Sequence, residues 1–416
     1  MLTRANDLTL TTTSDAVVAA VDGLEAALLR YGRDVADYLA SPAVGSDSAY
    51  ALAAHAAIHL LALTAEGRAR ALPIVAAAGE LAAGATEHEQ MFVAAIAAWA
   101  QGNLRGAMAR HMIIAERWPR DLLSAKILHF HQINTGEFAA MLASLRPIVA
   151  AQPDNHFVHG MHAFALEQCG DAAGAERAGR HAAALGCDPW AHHAVAHVLD
   201  TAGRFADGRA WLAGKADEWA DCSSFMFTHN WWHAALFEIA LDEPDAALAM
   251  FDSRVWGVRR DSVQDQLNAV SLLARLELVG VDVGGRWMDV APHLARRVDD
   301  RANPFADLHF AYGLARAGDD AALARLIDGL GRGDPAVAKA AEGMIAHARR
   351  RYGRAASALK AVADVAIGFG GSHTQRRLID LVAADAAARA TDWGRVIAGP
   401  WRRRAPVAEA TRRCAG

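Results

Sequence analysis

Residues 101–107 read QGNLRGA, 135–141 TGEFAAM, 169–175 CGDAAGA and 202–208 AGRFADG. Their turn glycines, Gly102, Gly136, Gly170 and Gly203, stand 34, 34 and 33 residues apart. Seventeen residues after the first two come Pro119 and Pro153, and Pro189 follows the third two residues late. Glycine makes a tight turn between helices at little steric cost, and proline ends the second helix of a pair. The surrounding segments are rich in Ala, Leu, Glu and Arg, which favours helix.

A repeat of about 34 residues with this punctuation is the tetratricopeptide helix–turn–helix unit. The expected fold is all-α: a tetratricopeptide-like helical-repeat solenoid, a right-handed superhelix of helix–turn–helix pairs. Such units bury their apolar faces only against neighbours. Asp242 takes the turn position of a fifth unit, and Gly318 and Gly353 mark weaker ones. The expected organisation is N-terminal capping helices over 1–86, repeats over 87–257, and C-terminal helical repeats over 258–416, which a pocket, unlike an open scaffold groove, needs to close over it. Segment 258–305 breaks the period and reads as an insertion or a domain junction. Only Gly280–Val290 and Val365–Gly371 look extended or loop-like, and both are short.

Composition narrows the function classes. A hydrophobic share of 53% and a charged share of 21% exclude a disordered chain. A formal charge of −5 gives no general drive toward nucleic acid or an anionic membrane surface. No apolar run approaches the roughly 20 residues of a membrane span, and the opening MLTRANDLTLTTTSDA carries no apolar signal segment. Cys169, Cys187, Cys222 and Cys414 lack paired or metal-ligand spacing, which fits a reducing, cytoplasmic setting. Arg402–Arg404 and Arg412–Arg413 read as a solvated basic tail.

Asp188–Asp200 (DPWAHHAVAHVLD), His229–Phe237 (HNWWHAALF), Arg286–Phe310 (RWMDVAP…FADLHF) and Gly370–Arg376 (GGSHTQR) combine rare His, Trp and Asn. With the opening TTTSDAVVAAVDGLEAAL and EHEQMFVAAIAAWAQGN, they resemble the tetratricopeptide repeat protein 38 family over nearly the whole chain. Arg301 and Arg377 depart from that family's pattern, which often has His and an acidic residue there. The resemblance implies an α-helical repeat fold and brings no general activity with it.

The chain has 19 histidines. Between 129 and 233 all but His181 fall on or at the start of a first helix, the helix that lines the concave face in this repeat class. Groove positions lie thirteen, ten, nine and six residues before the turn, within one sector about 100° wide. Counting back from Gly203 gives Trp190, His193, Ala194 and His197; from Asp242, His229, Trp232, His233 and Leu236. Gly170 gives Phe157, Gly160, Met161 and Phe164. Gly136 gives Leu123, Lys126, Ile127 and Phe130, and Gly318 gives Phe305, Leu308, His309 and Tyr312. His159, His162, His192 and Trp231 fall at positions that pack between helices.

This face is apolar and aromatic, the composition of a small-molecule pocket. Grooves that hold peptide carboxylates present Lys, Arg and Asn instead, and here only Lys126 qualifies. The expected catalytic set is His193, His197, His229, His233 and His309, acting as general acids and bases. Trp190, Asn230, Trp232, Phe305, Tyr312 and Arg376 are expected to contact the ligand. The pairs His193-x₃-His197 and His229-x₃-His233 also have the spacing to grip a divalent metal, with Asp300, Asp307 or His309 completing the shell. Gly370–Ser372 ahead of Arg376 reads either as an anion contact or as a helix cap on Ser372. Hydrolysis, elimination and isomerisation all suit such an enzyme. The alternative is a protein-interaction scaffold, whose groove would stay open and whose partner would be a protein. Neither reading implies nucleic acid or membrane, and oligomeric state is unassigned.

Overall fold

The computed structural model describes residues 1–41, 47–256 and 258–390. The basic tail and Cys414 lie outside the described residues. The fold is all-α helical repeat, with helices following one another as antiparallel pairs. The turn residue of each pair is left-handed: Gly102, Gly136, Gly170, Gly203 and Gly318 have φ of 82°, 72°, 88°, 69° and 77°, and Asp242 has 67°. In each case the N–H of the next residue donates to the carbonyl five residues back, as Asn103 does to Ala98 at 2.9 Å and Asp171 to Leu166 at 2.9 Å. That bond satisfies a carbonyl orphaned by the helix end.

The same device continues where glycine spacing does not show it. Helices Asp15–Leu29 and Val35–Ala40 turn at Tyr31 (φ 56°), and Ala49–Leu61 and Ala65–Ala82 turn at Leu63 (φ 56°). The region before 86 is therefore built of helix pairs too. Segment 258–305 itself contains a helix pair. Helix Val263–Leu278 turns at Gly280 (φ 92°), with Val281 N–H on the Leu276 carbonyl at 3.0 Å, into helix Arg286–Ala295. Longer connections hide this pair from a 34-residue period. Gly353 is not a turn: it lies inside helix Tyr352–Lys360, and Arg350 (φ 59°) makes the turn after helix Pro335–Ala348. The segment expected to be extended or loop-like around 365 is a 3₁₀ helix, Ala363–Phe369. The one strand pair among the described residues joins Leu2–Thr3 to Thr9–Leu10.

The described chain forms two compact units. The first comprises 1–133, 137–198 and 215–226; the second comprises 134–136, 199–214 and 227 onward. In the first, one apolar core runs from Val17 through Tyr50 and Phe92 to Ile127. A second core joins Leu122, Phe138, Met141, Phe164 and Trp190. In the second unit, helix Val263–Leu278 is buried along nearly its whole length. No described helix is long and apolar enough to cross a membrane.

Candidate functional site

In the first unit three first helices start at a capping side chain. Asp121 accepts from Ser124 N–H at 2.9 Å, Asn155 from Phe157 N–H at 3.1 Å, and Asp188 from Trp190 N–H at 3.0 Å. These caps stop each helix at a fixed residue. They also bring Lys126 and His129, then Phe164, then Trp190, His193 and His197 together. The Trp190 indole is the hub. Tyr31 stacks on it at 5.6 Å between centroids, Phe164 lies at 4.9 Å and His193 at 4.4 Å, and His129 meets it edge-on at 5.7 Å. His193 and His197 approach each other, Nε2 to Nε2, at 3.0 Å, and His197 Nδ1 lies 3.6 Å from Glu167 Oε2.

Around that indole several polar groups have no protein partner among the described residues. His129 is 3% exposed and both of its ring nitrogens are unpartnered. Trp190 Nε1 and Asp188 Oδ2 are likewise buried without a partner. Asp188 Oδ2 points at Gly160, where a Cβ would stand 1.9 Å away. The half-buried Lys126 amine lies 3.9 Å from the Tyr31 ring centroid and 5.1 Å from that of Trp190. Burial pushes its pKa down to about 7, against the pull of Asp188. Burial pushes Asp188 up to about 7, with Lys126 and the backbone N–H groups opposing. His129 is held well below its ordinary value, first by burial and then by Lys126. More than nine in ten buried polar groups in folded proteins find a partner, so several orphans around one side chain call for an explanation.

The part of helix Ser224–Ala240 that lies in the second unit, from Phe227 on, carries His229, Asn230, Trp232 and His233. His229 Nδ1 donates to Asn268 Oδ1 at 2.9 Å, Asn268 Nδ2 to Thr228 Oγ1 at 3.2 Å, and Thr228 Oγ1 to Asp265 at 2.8 Å. His229 stacks on Trp232 at 5.3 Å and meets His233 edge-on at 5.0 Å. Burial lowers the His229 pKa to about 4, the Asn268 bond opposing, so the imidazole is neutral at pH 7. Arg275 lies over Trp232 at 5.3 Å and donates to Ser271 Oγ and, at 2.7 Å, to the Thr374 carbonyl. No carboxylate among the described residues pairs with this buried guanidinium. His309 donates to the Phe305 carbonyl at 2.8 Å, and burial lowers its pKa to about 4.

Other expected site residues make contacts within the protein. Asp307 lies 3.9 Å from Arg301. The Tyr312 hydroxyl donates to His347 Nδ1 at 3.3 Å, and His347 Nε2 donates to Asp385 at 2.9 Å. Arg376 donates to the Gly371 carbonyl. Ser372 and Gln375 exchange bonds of 2.9 and 3.2 Å, a capping box that favours the helix-cap reading of this turn. His192 accepts from Trp219 Nε1 at 3.3 Å and packs between helices, as its register implies.

Sequence reasoning missed Asp188, Tyr31, His129 and Arg275 as site residues. An Asp before Pro-Trp at a helix start was a readable cap, but nothing local reveals its unpartnered oxygen. Tyr31 enters from a non-glycine turn.

No protein-family model matches the chain. Among solved structures, it is similar to a tetratricopeptide repeat protein from Parabacteroides merdae. Identity is 15%, over 71% of this chain and 98% of that one, with a TM-score of 0.28. It is also similar to the P58(IPK) TPR domain at 10% identity, over 73% and 98%, with a TM-score of 0.22.

Proposed function

We propose that this helical-repeat protein binds a small molecule in its first unit, against the Trp190 indole, with Lys126, His129, Asp188 and His193 as its polar contacts. The observation that carries the reading is the set of partnerless buried polar atoms on His129, Trp190 and Asp188. A ligand that hydrogen-bonds them removes a desolvation cost of about 1–3 kcal/mol per group. An enzyme using these groups for proton transfer extends the same reading.

The architecture is equally that of a protein-interaction scaffold, which is the second reading. A scaffold presents its first-helix face to a partner, whereas Trp190, His193, Trp232 and His229 are 0–6% exposed. A divalent ion is a third reading, favoured by the 3.0 Å approach of Nε2 of His193 to Nε2 of His197. Membership of the tetratricopeptide repeat protein 38 family and a cytoplasmic setting are part of the proposal. The family rests on the HNWWH and DPWAHH motifs.

A thermal-shift screen of small aromatic aldehydes, amines and carboxylic acids tests the reading. At ligand concentrations well above Kd, stabilisation reaches about 2.7 kcal/mol. At least one compound should raise Tm by several degrees in the native chain and by less than half as much in folded His129→Leu. No hit, or hits indifferent to His129→Leu, contradicts a Trp190-centred site. Metal analysis of the same preparation, purified without chelator, decides the ion reading.

A further inference from the structure

Four of the 42 Lys and Arg residues are lysine: Lys126, Lys215, Lys339 and Lys360. Lys215 pairs with Glu218 at 2.7 Å and Lys339 with Glu342 at 2.9 Å, as ordinary surface cations do. Lys360 is exposed, whereas Lys126 lies against two aromatic rings and pairs with no carboxylate among the described residues. Had the site needed only a fixed cation over Tyr31 and Trp190, arginine would serve as well, because it stacks on aromatic faces and stays charged. What lysine alone offers there is an amine that can lose its proton near neutrality.

The neighbouring groups fit that use. Asp188 has one oxygen fixed by the Trp190 N–H and the other free of any donor, on a carboxyl that is 1% exposed. The groups that face Lys126 are Asp188, the uncharged His129 ring and the Tyr31 ring; the Cys222 thiol, pushed up to about 12 by burial, stays protonated beside Tyr31. One amine and one carboxyl leave no surplus positive charge for an anionic substrate, and the walls are aromatic. The matching chemical class is a neutral aldehyde or ketone with an apolar substituent.

We propose that Lys126 is a nucleophilic amine that captures such a carbonyl compound as an imine, with Asp188 passing protons to and from the departing oxygen. The Nζ lone pair forms the C–N bond while the carbonyl π electrons move onto oxygen. That oxygen takes up the two hydrogens given up by the amine, by way of Asp188, and leaves as water, so that C=N remains. No oxidant or reductant is consumed. The inference rests on the binding reading above and goes beyond it by naming the reacting atom and the substrate class.

The test is reductive trapping on the full chain at pH 7, using benzaldehyde with sodium cyanoborohydride and mapping benzylated lysines by peptide mass spectrometry. Lys126 should be labelled at least about tenfold faster than Lys215, Lys339 or Lys360. At neutral pH an ordinary lysine keeps less than about one amine in a thousand unprotonated. Asp188→Asn keeps a good helix cap and removes the negative charge, which frees more amine. Slower trapping in that variant, by roughly tenfold or more, is therefore the expected mark of lost proton transfer. Trapping on Lys126 no faster than on the other three lysines overturns the proposal, and unchanged or faster trapping in Asp188→Asn overturns the role of Asp188. A benzaldehyde thermal shift without trapping keeps the binding site and removes the imine; neither signal removes both.

Discussion

Acidification from pH 7 to below pH 5 is expected to unfold this protein cooperatively, well above the pH at which its carboxylates protonate. His111, His192, His229 and His309 are buried and their pKa values are lowered by that burial to about 4; His131 falls to about 3, with His111 adding to burial. Each binds its proton near pH 6.5 once unfolded. A folded pKa below the unfolded one means that the unfolded state takes up protons first. Stability is therefore full above about 6.5 and falls as pH drops toward the folded values. The slope is up to about 1.4 kcal/mol per pH unit for each histidine. At pH 5 the five together remove up to about 10 kcal/mol, comparable with the whole stability of an ordinary domain. Far-ultraviolet circular dichroism against pH reads this directly. Retention of helix down to pH 4 would contradict neutral, buried histidines.

Asp121→Ala is expected to destabilise the first unit by about 3–5 kcal/mol. Asp121 is 2% exposed and accepts from the Tyr50 hydroxyl at 2.9 Å, His88 Nε2 at 2.7 Å and Ser124 N–H at 2.9 Å. Burial alone pushes its carboxyl up, yet His88, Arg4 and the Ser124 N–H outweigh that and hold it below the usual range. Beside it Arg4, fully covered, reaches Asp22 at 2.8 Å and Glu25 at 3.2 Å. His111 Nδ1 and Ser124 Oγ share a bond of 2.7 Å in the same network. Removing the central carboxylate leaves a phenol and an imidazole without an acceptor and strips Arg4 of a compensating charge. It also uncaps helix Leu122–Thr135, which carries Lys126 and His129. Urea unfolding of the variant should show the full loss, and Asp121→Asn, which keeps an acceptor and the cap, a smaller one. A change below about 1 kcal/mol for Asp121→Ala would mean that the network is not closed as described.

Much of the fold is written in turn glycines, because a left-handed turn leaves a visible mark when glycine fills it. Tyr31, Leu63 and Arg350 accept the same backbone conformation at a cost of about 1–2 kcal/mol each, and no local signal marks them. Gly280 was visible but read as loop, since its pair is spaced by longer connections. Helical register also placed Phe164, Trp190, His193 and His197 on one face, and the structure brings their rings together. What register cannot supply is satisfaction. Whether His129, Asp188 Oδ2 or Trp190 Nε1 finds a donor or acceptor depends on residues far off in the sequence, as Tyr31 is from Trp190. Arg275 likewise reads as an ordinary helical arginine until its burial beside Trp232 is known.

The imine proposal requires Lys126 to lie against aromatic rings beside a carboxyl it does not pair with. Nuclear magnetic resonance of the chain labelled with ¹³Cε-lysine tests it directly, since only four signals arise and each can be assigned by substitution. One signal, absent in Lys126→Arg, should titrate at about 7 while the other three stay protonated through neutrality. Four signals that all titrate in the ordinary lysine range, near 10.4, would contradict the account.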